Sequence, residues 1–171
     1  MEKVLILDGG AAHAMAIAEC LKKSGYTVGV ICDDKDEYGY HTKFVDERYI
    51  GPDSHDAEYA TFMFNFLKEH HFDVLIPTSD VTAEFMSFHK EELVKLTGVL
   101  MPSRDIFKKG YDKNQLMRVC KDNGFPHPLT IDISKAEKSL AEDETLADIV
   151  ELRNFPYPGL LKPNLTSGGR G

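Results

Sequence analysis

Short apolar runs alternate along this chain with stretches in which apolar residues recur every third or fourth position. The first run, 3–8 (Lys-Val-Leu-Ile-Leu-Asp), predicts a strand that ends in the turn Asp8-Gly9-Gly10. Ala16, Ile17, Cys20 and Leu21 then fall at helical spacing, and Gly25 closes that helix. Residues 27–32 read as a second strand ending at Asp33-Asp34, and a polar loop leads to a short strand near Tyr49-Ile50. Ala60, Met63, Phe64 and Leu67 mark one buried helix face. A strand over 72–77 follows. Thr78-Ser79-Asp80 is placed to cap a helix carrying Val81, Phe85 and Phe88, and 98–101 predicts a further strand.

Strands separated by helices of this length pair in parallel, through right-handed crossovers. The expected fold class is therefore α/β, with a small doubly wound parallel sheet over 1–102. The pattern changes after Pro102. Asp112 is placed to cap a helix with Gln115 completing a capping box, and Leu116, Val119 and Cys120 form its apolar face. Asn123-Gly124 followed by Pro126 stops it. A strand over 129–133, an acidic helix through Leu146, Ile149 and Val150, and a strand over 160–163 complete the expectation. Residues 103–171 thus read as the start of an α+β module.

Composition narrows the function classes. With 42% hydrophobic and 28% charged residues the chain is an ordinary globular sequence. A net charge of -8 argues against a nucleic-acid or anionic-membrane surface, both of which need a concentrated positive field. The opening residues have no signal-peptide anatomy, and no apolar run approaches the ~20 residues of a membrane span. Cys20, Cys32 and Cys120 are widely spaced and odd in number, which reads as buried thiols in a reducing cytoplasm.

Candidate chemistry concentrates at the end of the chain. Lys162 lies in an apolar run, and a lone ammonium buried there needs an anion. Gly168, Gly169 and Gly171, with Arg170 among them, can turn backbone N–H groups toward the same anion. Lys113, in a first helical turn, opposes the helix dipole unless a phosphate is bound nearby. The plainer readings are an edge-strand lysine reaching water, a loose glycine terminus and a solvated surface lysine. Taken together, the three features favour a phosphate grip. The chain stops within this motif, so a fragment of a longer protein is expected.

The helix start Tyr111-Asp112-Lys113, the stop Asn123-Gly124-Phe125-Pro126 and the segment from Phe155 through Lys162-Pro163 to Gly168-Gly169-Arg170-Gly171 resemble the ATP-grasp superfamily in order and spacing. The nearest in character are the carbamoyl-phosphate synthase large subunit and related carboxylate–amine ligases. Residues 1–102 resemble the small α/β domain that precedes ATP-grasp modules. The resemblance implies that Lys113, Lys162 and 168–171 bind ATP, with 168–171 as a flap over the phosphates. It implies ATP and Mg²⁺ as cofactors, with metal ligands and catalytic residues beyond Gly171, so the fragment alone would be inactive. The implied partners are a small-molecule carboxylate and an amine, with a homodimer also allowed.

Ligands of open α/β sheets bind at the carboxyl ends of the strands. Gly9, Gly10, Ser79 and Asp80 are the substrate-side candidates there, although a tight turn and a helix cap are the plainer explanations. His70-His71 reads as a solvated helix end, since adjacent helical residues diverge, and the phenylalanines of 62–88 read as core. Two alternatives stand beside the ligase. A dinucleotide-binding oxidoreductase is suggested by Gly9-Gly10 and Asp33-Asp34, but Asp8-Gly9-Gly10-Ala11-Ala12-His13 lacks the G-x-G-x-x-G fingerprint. A non-enzymatic α/β ligand-sensing module leaves Lys162 and the terminal glycines without a role.

Overall fold

The computed structural model describes residues 2–133 and 152–165 and divides the chain into two compact units, 1–107 and 108–171. The first unit carries an all-parallel five-stranded sheet of order β3-β2-β1-β4-β5. The strands are β1 (Lys3–Ile6), β2 (Thr27–Cys32), β3 (Glu47–Ile50), β4 (Val74–Ile76) and β5 (Gly98–Val99). Leu5 stands in register with Gly29 on one side and Leu75 on the other, so β1 is the central strand.

Alternation along the strands sends side chains to two separate cores. Leu5, Leu7 and Ile31 point to one, where α3 (Tyr59–Glu69), α4 (Asp80–Phe88) and α5 (Lys90–Leu93) contribute Met63, Leu67, Phe85, Met86 and Leu93. Ile6, Val28, Val30 and Cys32 point to the other, beneath Ala14 and Ala18 of α1 (Ala12–Lys23). Burying each large apolar side chain contributes roughly 1.5–3 kcal/mol, so the central strand is anchored from both faces. Helices on both faces of a parallel sheet make the doubly wound α/β arrangement expected from the alternating pattern. The one-turn α2 (Tyr38–His41) lies in the polar loop after β2.

Some helix faces differ from expectation. On α1 the buried residues are Ala14 and Ala18, whereas Cys20 is exposed and Ala16 faces solvent. Small residues let this helix lie close to the sheet, which the larger residues at Ile17 and Leu21 only flank. Cys32 is buried as expected and Cys120 is half-buried. Phe66, Phe72 and Phe85 are core residues, and the half-buried Phe88 lies under the Arg104 guanidinium at 4.1 Å. The His70 ring packs against Tyr49 and Phe66.

Helix α6 (Arg104–Tyr111) spans the boundary between units and was not signalled by the apolar pattern, having only Ile106 and Phe107 among charged residues and Gly110. In the second unit, α7 (Lys113–Asp122) starts at Asp112, which accepts from the Gln115 amide at 2.9 Å. Gln115 does not reach back to the Asp112 backbone; its side chain donates to the Asp112 carboxylate at 3.0 Å. These bonds hold Asp112 below the usual carboxylate range. Gly124, at φ 69°, ends the helix in the left-handed region that glycine enters at low cost.

The strands expected over 129–133 and 160–163 are not formed. Both segments are irregular chain, and Leu160 and Leu161 are 78% and 62% exposed. A strand needs a hydrogen-bonded neighbour, and no strand occurs among the described residues of this unit. Gly168, Gly169, Arg170, Gly171 and the expected acidic helix lie outside the described residues. Among the described residues, no helix is long and apolar enough to cross a membrane.

Candidate functional site

Two places carry polar side chains that the fold positions, one in each unit. The first is the carboxyl edge of the sheet, where the strand order reverses between β1 and β4. Such a reversal opens a crevice because successive connections leave on opposite sides. Thr78, just after β4, donates its hydroxyl to the Leu7 carbonyl and also lies 2.7 Å from the Asp8 carbonyl. His13 Nε2 donates to the Thr78 carbonyl. These bonds tie the turn after β1, which carries Gly9 and Gly10, to the segment Thr78-Ser79-Asp80 after β4.

Each of these has a local structural reason. Gly9 donates to the Ile31 carbonyl at 2.8 Å and accepts from the Gly39 amide at 3.0 Å. A Cβ at Gly9 would lie 2.5 Å from Cys32 Sγ and 2.7 Å from Val30 Cγ2. At Gly10 a Cβ would run into the Glu37 carboxylate. Ser79 is the N-cap of α4, accepting from the Thr82 amide at 3.2 Å while Thr82 Oγ1 accepts from the Ser79 amide at 3.1 Å. We expect Ser79→Ala to destabilise the first unit by about 0.5–2 kcal/mol in urea unfolding. An unchanged midpoint would remove the cap from the account of this edge.

Several groups here escaped the sequence reading. Asp8 adopts φ 65°, an unusual conformation that Asp tolerates better than most residues. Glu37 comes from the loop after β2 and Tyr59 from the start of α3, and nothing local marks either for this edge. The position of Asp8 before a glycine pair, at the end of the first strand, was a usable signal. Glu37 Oε2, Tyr59 Oη and Asp80 Oδ2 are buried with no hydrogen-bond partner among the described residues.

Burial and the neighbouring Asp33 carboxyl push Glu37 up to about 7. Burial, then Glu37, push the Cys32 thiol up to about 12. The folded chain therefore holds the Glu37 proton more tightly than the unfolded chain, and the associated stability is full below the ordinary glutamate range. It is lost as pH rises to about 7. Thermal unfolding against pH should show this fall, and Glu37→Gln should flatten it; an unaltered slope in the variant would assign the fall elsewhere.

The second place is the start of α7. Lys113 Nζ donates to the Asn164 carbonyl at 2.9 Å, and the Asn114 amide donates to Asn164 Oδ1 at 3.0 Å. Tyr111 Oη donates to the Leu165 carbonyl at 3.2 Å. Three successive contacts thus clasp the turn that follows Lys162 against the helix start, across some fifty residues of sequence.

Two expectations change at this clasp. Lys162 is exposed and lies outside any strand, so it is not an ammonium buried in a strand. The Asn114 and Gln115 amides are taken by Asn164 and Asp112, so these amides of the first turn of α7 are not open to an anion. An open depression of about 420 Å³ beside the helix is lined by Asp112, Asp122 and Asp132 as well as Lys109 and Arg118. Its three carboxylates make it a poor seat for polyphosphate. Of the two lysines singled out by the sequence, Lys113 reaches the clasped turn directly, and Lys162 precedes Asn164 by two positions. Among the described residues, no group of three or more His, Cys, Asp or Glu is arranged to hold a metal ion.

No protein-family model matches the chain, and no curated protein matches it. Solved structures do. The N5-carboxyaminoimidazole ribonucleotide synthetase from Thermotoga maritima aligns over 75% of this chain at 22% identity, with a TM-score of 0.53. The L-amino acid ligase from Bacillus licheniformis aligns over 82% at 16% identity, with a TM-score of 0.61. The chain spans 32% and 36% of the lengths of those two proteins, about a third of each. At these identities the likeness establishes the architecture, and the chain has the α/β fold found in this synthetase and this ligase.

Proposed function

We propose that this chain is the N-terminal portion of an ATP-dependent carboxylate–amine ligase of the ATP-grasp type, similar in character to the carbamoyl-phosphate synthase large subunit. The observation that carries the reading is the clasp of the Lys113 helix start on the turn after Lys162. It draws together two segments that the resemblance assigns to nucleotide phosphates. The fold shared with a synthetase and a ligase supports the same reading.

In this reading a substrate carboxylate attacks the γ-phosphate of ATP, releasing ADP and forming an acylphosphate. An amine then attacks the acyl carbon and inorganic phosphate leaves. Phosphoryl transfer of this kind asks the protein mainly to position groups and neutralise charge, which lysines supply without covalent chemistry. Mg²⁺ adds charge neutralisation at the phosphates when bound, through ligands placed outside this chain. The chain alone is then inactive, and the working enzyme lies in the reducing cytoplasm.

The dinucleotide reading loses support at the glycine turn. The Glu37 carboxylate sits against Gly10, and Asp8 and Asp33 lie nearby, where a pyrophosphate would need open amides and no negative charge. The test is ADP release by the full-length protein with Mg²⁺ over paired panels of carboxylates and amines. Turnover that requires one of each is expected. ATP hydrolysis indifferent to both, or no turnover from folded protein, would overturn the ligase reading.

A further inference from the structure

The carboxyl edge of the sheet holds a small cavity that neither the helix caps nor the glycine turn explains. It measures about 20 Å³ and is lined by Asp8, Asp33, Ser54, Tyr59, Cys32 and Pro52 among others. That is room for one water-sized polar group, since such a group needs roughly 10–15 Å³ by this measure. Tyr59 is 4% exposed, lines the cavity, and its hydroxyl is buried without a partner among the described residues. A buried hydroxyl left without a hydrogen bond costs about 1–3 kcal/mol, so a cavity built around one is a place for a polar group. Asp33 is exposed, so one wall reaches solvent.

Charge selects what enters. Asp8 and Asp33 line the cavity, and the Glu37 carboxyl stands beside Asp33. No Lys, Arg or His is among the lining residues. Carboxylates and hydroxyl oxygens are acceptors, and a water-sized group with several donors and a positive charge matches them. A phosphate or carboxylate meets only like charge here. A divalent ion fits less well, given that no metal-ligating group of three is formed among the described residues.

We propose that this cavity binds the primary ammonium group of a small-molecule substrate, with Asp8 supplying the counter-charge and Tyr59 Oη accepting one N–H. Naming that molecule as the amine or amino-acid substrate rests on the ligase reading; the binding of an ammonium group here does not. It places the nitrogen-bearing substrate beyond the carboxyl ends of β1, β2 and β3, in the unit that precedes the lysines.

The experiment uses the 171-residue chain and methylammonium as probe, following the backbone amide resonances of Asp33, Ser54 and Tyr59. Tetramethylammonium and sodium acetate at matched ionic strength are the controls. Saturable shifts with methylammonium alone are expected, weakened about tenfold or more in Asp8→Asn and in Tyr59→Phe. Asn tolerates the left-handed backbone at position 8, and Phe keeps the packing of the Tyr59 ring on Phe85, so both variants should fold. Absence of saturation, equal saturation by acetate, or unchanged affinity in both variants would overturn the site. ATP is absent from this assay. Methylammonium binding beside a full-length protein that turns over no ATP would uphold the cavity and reject the ligase.

Discussion

On the ligase reading, alanine at Lys113 or at Lys162 should lower the ATP-dependent turnover of the full-length protein by about 10²–10³-fold. Each lysine is expected to supply one positive charge at the transferring phosphoryl group, and removing one preorganised charge-stabilising donor typically has that effect. The two positions should differ in their controls. Lys162 is exposed, so its truncation should leave thermal stability within about 0.5 kcal/mol. Lys113 also holds the Asn164 carbonyl, so its loss should loosen the clasp as well. Lys109, which lines the carboxylate-rich depression instead, should tolerate alanine with little change in turnover. A rise in the KM for ATP with kcat intact would mean ground-state binding only. Equal, small effects at all three lysines would show that the clasp has no part in catalysis.

Gly9→Ala should destabilise the first unit by about 1–3 kcal/mol, the usual cost of forcing a methyl group into a packed interior. The added carbon would meet Cys32 Sγ at 2.5 Å, Val30 Cγ2 at 2.7 Å and the Ile31 carbonyl at 3.2 Å. Relief by sliding the turn is blocked, because Gly9 is hydrogen-bonded through both its amide and its carbonyl, to Ile31 and Gly39. Gly10→Ala is the informative contrast. There the nearest obstacle is the Glu37 carboxylate, the end of a flexible side chain that can swing away. Its cost should be smaller, and it should shift the pH dependence that Glu37 imposes. Urea unfolding of the two variants across pH separates these effects; a Gly10 variant as unstable as the Gly9 variant would mean that the backbone itself, rather than Glu37, fills that space.

The fold of the first unit was legible because its information is periodic and local. Alternation at Leu5, Ile6 and Leu7 assigns each side chain to a face before any partner is known, and 3.6-residue spacing does the same for Met63 and Leu67. Turn and cap chemistry at Gly9, Ser79, Asp112 and Gly124 depends on one or two backbone torsions and on neighbours within three or four residues. The strands expected over 129–133 and 160–163 failed for the opposite reason. Their apolar content was real, but a strand exists only with a neighbour, and pairing is a property of distant chain.

From sequence alone, then, the parallel α/β architecture of the first unit and the principal helix stops were determined, each by spacing or residue type. Tertiary structure alone decided which groups meet. It set Tyr59 and Asp33 around one cavity with Asp8, laid Glu37 over Gly10, and closed Lys113 on Asn164. These contacts join residues up to some fifty positions apart. Burial and charge at such a site depend on the sum of all elements that converge there, a quantity that no short window of sequence contains.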